Sequence, residues 1–80
     1  MPRFYFDVIL NGYRTRDWQG MELPNIDAAR DAAITAAKEV IEERGYKNAP
    51  NGAFLIADAS GKTIMTVRFV QVRQPPDKVR

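Results

Sequence analysis

The chain has 80 residues, twelve of them Lys or Arg and ten Asp or Glu for a net charge of +2, and it contains neither cysteine nor histidine. A chain of this length is one small domain that hides only ~60–65 % of the surface its unfolded form exposes, so its core is thin and self-association is the simplest outside support. The missing residue types exclude a disulfide staple, a thiolate nucleophile, and the commonest zinc ligand and general base.

The opening Met1-Pro2-Arg3-Phe4-Tyr5-Phe6 meets Asp7 at once. No apolar run anywhere is long enough for a signal peptide or a membrane span, and a cytoplasmic location is expected. From Arg3 to Leu10 the residues alternate, with Phe4, Phe6, Val8 and Leu10 on one side and Arg3, Tyr5, Asp7 and Ile9 on the other. A period of two marks a half-buried strand. Asn11-Gly12 then predicts a tight hairpin, because both central positions of a type I′ turn need positive φ. Tyr13 to Arg16 is the returning strand. Asp17-Trp18-Gln19-Gly20 reads as a turn, with Trp18 expected as a lid over one edge of the core.

Leu23-Pro24-Asn25 begins a helix: the residue before proline avoids helical angles, Asn25 can cap the first turn, and Leu23 or Pro24 can staple it. From Ile26 to Arg44 the apolar residues Ala29, Ala33, Ala36, Ala37 and Val40 recur at steps of three and four, widened by Ile34 and Ile41. Asp27, Asp31, Thr35, Lys38 and Glu42 lie opposite, the pattern of an amphipathic helix. Its stripe is small-sided, so the bulk of the core must come from Phe4, Phe6, Phe54 and Phe69. Gly45 is the expected terminator.

After a polar loop over 46–52, the runs Ala53 to Asp58 and Lys62 to Val70 form a second hairpin through Ala59-Ser60-Gly61. Phe54, Ile56, Met65, Val67 and Phe69 are its inward set. Residues 73–80 are charged and carry Pro75 and Pro76, predicting a flexible basic tail outside a single domain over 1–72. The expected fold is α+β in the order ββαββ, a mostly antiparallel four-stranded sheet with one helix on one face. Residues 17–44 hold seven carboxylates against three basic side chains, net −4, which leaves +6 for the rest. The helix side is therefore acidic and the strands are basic. The sheet's other face would carry Tyr5, Ile9, Leu55, Ile64, Thr66 and Arg68, a surface apolar enough to predict contact with a second copy in an isologous homodimer. No protein partner is identifiable from these residues, and no membrane association is expected.

The opening Met1 to Asp7 string, the Gly12 turn, Asp17 with Gly20, Glu22-Leu23-Pro24-Asn25, Ala28-Ala29-Arg30 and the Asp58 to Phe69 hairpin resemble a family of small bacterial domains of unknown function. Its members typically begin Met-Pro-Arg-Tyr-Phe-Phe-Asp. The resemblance spans nearly the whole chain except the tail and implies no reaction, cofactor or partner. Asn25 stands where aspartate is common, and the opening aromatics are ordered Phe4-Tyr5-Phe6.

Candidates for chemistry are few. Asp7, Asp17, Glu22 and Asp58 lie near turns or strand ends, where a converging pair can hold Mg²⁺ or act as acid and base. Aspartates beside glycine turns more often bind local amides. Asp7, charged within a strand, needs a partner, and Arg68 or Arg3 is the expected one. The glycines are isolated, so phosphate-cradling loops are absent, and Ser60, the sole serine, lacks a nucleophile's setting. No catalytic residue, cofactor or metal site is assigned, and the expected function is a non-catalytic interaction module. The alternative is weak nucleic-acid binding through Arg3, Tyr13, Arg14, Arg16, Arg68 and Arg73, which place cations and an aromatic on or beside the strands, with Tyr5 and Lys62 close by.

Overall fold

The computed structural model describes residues 1–44 and 51–72. The predicted Gly45 terminator, most of the loop before Gly52, and the tail with Arg73 lie outside the described residues. Seven elements follow in order: β1 (Arg3–Leu10), β2 (Tyr13–Thr15), β3 (Met21–Glu22), α1 (Ile26–Arg44), β4 (Gly52–Ala57), β5 (Thr63–Arg68) and the single turn α2 (Phe69–Val72). The sheet is antiparallel in the order β2-β1-β4-β5, with β3 pairing the start of β1. The α+β class and the helix on one sheet face match the sequence expectation.

Two local differences have clear causes. Met21 and Glu22 form a fifth strand that the sequence reading lacks, because two residues are too few to show alternation; they pair with Phe4 and Arg3, and an Arg3–Glu22 ion pair spans them. The last strand ends at Arg68 rather than Val70, since the Arg68 N–H donates to the Gln71 side chain and turns the chain into α2. Phe69 is thereby fully buried, edge-to-face against Phe54 at 5.6 Å.

Local chemistry sets the other boundaries. Asn11 and Gly12 both have positive φ, as a type I′ hairpin requires. The Asn25 side chain accepts from the Ala28 N–H at 2.9 Å and caps α1. Ala29, Ala33, Ala37 and Ile41, one turn apart along α1, are all buried, with Phe4, Ile56 and Val67 in the same core and Phe6, Leu23 and Met65 packed around it. Methyl-sized side chains let the helix axis sit close to the strands. The molecule is 17 Å thick in its thinnest direction, which is one helix layer on one sheet layer.

Candidate functional site

The strand register sorts side chains by face. Tyr5 is opposite Ala57, Asp7 opposite Leu55, and Ile9 opposite Ala53, all on the side away from α1. Across the next pair, Leu55 meets Thr66 and Ala53 meets Arg68. Ile56 pairs with Met65 while Ala57 pairs with Thr63, so Ile64 is the surplus residue of a β-bulge. Of the residues expected at an interface, Tyr5, Ile9 and Leu55 are half-buried, Thr66 and Arg68 are exposed on the same face, and Ile64 stands exposed at the bulge. Among the described residues, no element covers this face.

Asp7 is the buried charge at its centre, only 8 % exposed. Its partner is Arg14, correcting the expectation of Arg68 or Arg3. Arg14 lies opposite Ile9 on β2, one diagonal step from Asp7, and donates through Nε at 3.1 Å and Nη2 at 2.7 Å to a single carboxylate oxygen. Arg68 is at the far edge of the sheet, while Arg3 is engaged by the Gln19 carbonyl and Glu22. The other Asp7 oxygen accepts the Asp17 N–H at 2.9 Å.

Asp17 fills a gap in the sheet. One edge of β1 is shared by β2 and β3, and between them the Phe6 N–H donates to the Asp17 carboxylate at 3.0 Å instead of to a strand. The second Asp17 oxygen takes the Gln19 and Gly20 N–H groups. Gly20, at φ +71°, has no room for a side chain: a Cβ would come within 2.8 Å of the Phe4 carbonyl oxygen and 2.9 Å of the Tyr5 ring. Burial alone would raise both carboxyls, but hydrogen bonds outweigh it. The Asp17 N–H and Arg14, with Arg14 and Arg16 charge, hold Asp7 below the ordinary aspartate value, and three backbone N–H groups hold Asp17 below it despite the nearby Asp7 charge.

The loop so anchored presents Trp18 to solvent, 80 % exposed, not as the expected lid. The chain rejoins β1 as β3 directly after the loop, so the core edge there is already closed and the turn bows outward. The Arg16 guanidinium lies over the indole at 5.8 Å. Tyr5, Arg14, Arg16, Trp18 and the Ser60–Gly61 turn border a recess of about 320 Å³ at this end of the bare face. Of the alternative nucleic-acid set, only Arg14 and Arg16 meet here. Tyr13 pairs with Leu10 and so stands on the helix-side face, Arg68 is at the opposite end, and Arg73 is outside the described residues. Arg14 and Arg16 are the sequence signal for this corner, whereas a lone large aromatic in a turn is ordinarily core cover.

The acidic candidates divide in the same way. Asp7 and Asp17 come together, but every oxygen of both accepts a protein donor, and Asp58 is committed to Ser60 and the Lys62 N–H within its turn. Among the described residues no group of three or more such side chains converges to hold a metal ion, and no helix is long and apolar enough to cross a membrane.

An antiparallel sheet carrying one alanine-striped helix, stitched at its edge by an aspartate pair, defines a small α+β domain. The chain belongs to the DUF6894 family, a domain of unknown function, whose model matches residues 3–70. No curated protein and no solved structure matches it.

Proposed function

We propose that the domain is a non-catalytic interaction module that pairs with a second copy of itself through the bare sheet face. The relief of that face carries the reading. Along β1 the side chains run large, short, large (Tyr5, Asp7, Ile9), and along β4 small, large, small (Ala57, Leu55, Ala53), so bulk and hollow alternate in both directions. A surface of this kind is complementary to its own copy turned about a two-fold axis, the condition for an isologous contact. Asp7 is already neutralised by Arg14, so its burial in such a contact leaves no unpaired charge. Among the described residues the sheet has no second cover layer, and a copy supplies one.

Light scattering on a size-exclusion column, run as a dilution series, is expected to give a dimer mass at micromolar concentration. Leu55→Arg should shift it to monomer without lowering secondary-structure content. A wild-type mass that stays monomeric at the highest concentration sinks the reading.

A further inference from the structure

We infer that the recess at the Tyr5 end of the sheet binds single-stranded nucleic acid, with one base stacked on Trp18 and an adjoining phosphate on Arg16. Tyr5, Asp7 and Ala57 line this recess and also belong to the pairing face, so the site is that of the unpaired chain and does not depend on self-association; four observations carry it.

Trp18 is the sole tryptophan and is 80 % exposed, yet the loop bearing it is fixed by the Asp17, Gln19 and Gly20 N–H groups on the Asp7 and Asp17 carboxylates. A wide aromatic surface held in advance loses little freedom when a base stacks on it, and every base offers a ring face. Arg16 supplies the charge. It lies over the indole and makes no hydrogen bond or ion pair among the described residues, whereas Arg14 is committed to Asp7.

The recess, at about 320 Å³, is at the small end of ligand sites and suits one nucleotide unit rather than a duplex. Its far wall keeps its shape because Asp58 ties the Ser60 and Lys62 N–H groups and the Ser60 hydroxyl. The two faces also differ in charge. Asp27, Asp31, Glu39, Glu42 and Glu43 outnumber Arg30, Lys38 and Arg44 on α1, while at the recess Asp7 and Asp17 balance Arg14 and Arg16 and have every oxygen occupied by a protein donor. A phosphate is therefore disfavoured at the helix, and at the recess the Arg16 guanidinium is the charge left open to it.

Trp18 fluorescence reports on this one site. Titrating the full chain with an oligothymidylate of about ten nucleotides should quench it saturably. Affinity should fall with salt at a log–log slope near about −1, as one or two neutralised phosphates give. Arg16→Glu should weaken binding roughly tenfold with an unchanged melting temperature, and Trp18→Leu, followed by anisotropy of a labelled oligomer, should do so by a similar factor. Absence of quenching and of any anisotropy change overturns the inference. Equal binding of thymidine monophosphate overturns the single-strand assignment, and equal binding of polyglutamate shows that charge alone is recognised and overturns the base-stacking role.

Discussion

Gly52→Ala is expected to unfold much of the domain near physiological temperature. Gly52 pairs with Leu10 where β4 first meets β1, and an added Cβ would stand 1.8 Å from the Ile9 carbonyl oxygen and 2.8 Å from its carbon. Those atoms are backbone of the central strand and cannot rotate away. The two strands must part, and with them the pair that joins the halves of the sheet. Overpacking of this kind costs ~3 kcal/mol or more, a fall in melting temperature of about 12–24 °C for a domain of this size. Thermal melts followed by circular dichroism check it. A variant melting within a few degrees of wild type would show that the strands do not approach this closely.

Asp7→Ala should cost ~2–3 kcal/mol at neutral pH, because it removes a nearly buried carboxylate that accepts from Arg14 and from the Asp17 N–H. The pH dependence has a definite sign. Asp7 and Asp17 titrate below the ordinary value of 3.8, so the folded form holds its carboxylates ionised more strongly than the unfolded chain does. Their contribution is complete above the unfolded value and is lost as pH falls through the lowered folded ones. Wild-type stability should therefore fall steeply below about pH 4. Asp7→Ala should show a lower plateau and a shallower acid limb in urea melts from pH 7 to pH 2. An acid limb of unchanged steepness would show that the pair does not titrate as described.

The legible parts of this fold were those written in short-range periodicity. Alternation from Arg3 to Leu10, the Asn11-Gly12 turn, the Asn25 cap and the four-residue spacing of Ala29, Ala33 and Ala37 each follow from local rules, and each stands where those rules place it. What escaped was non-local. The Asp7–Arg14 pair depends on the diagonal offset between β1 and β2, a property of the hairpin register that distinguishes Arg14 from Arg3 only once the strands are placed. Asp17 is a substitute strand partner for Phe6 because β2 and β3 leave a gap on the same edge, and no spacing in the chain announces a gap. The exposure of Trp18 followed from that gap. The recess was half legible in the same sense: Arg14 and Arg16 carried a visible charge signal, while the tryptophan beside them looked like core material.

The surplus residue at Ile64 interrupts one open edge of the sheet. β5 is the outermost strand on its side of the sheet, and an uninterrupted strand there would offer a regular row of donors and acceptors to the next molecule, and that molecule to another, in a ribbon without end. The kink breaks the regularity of that row, so neighbours cannot zip along it in step. Contact between broad faces, by contrast, is used up once two molecules meet. The bulge thus guards this edge against open-ended strand addition at the expense of one unpaired residue.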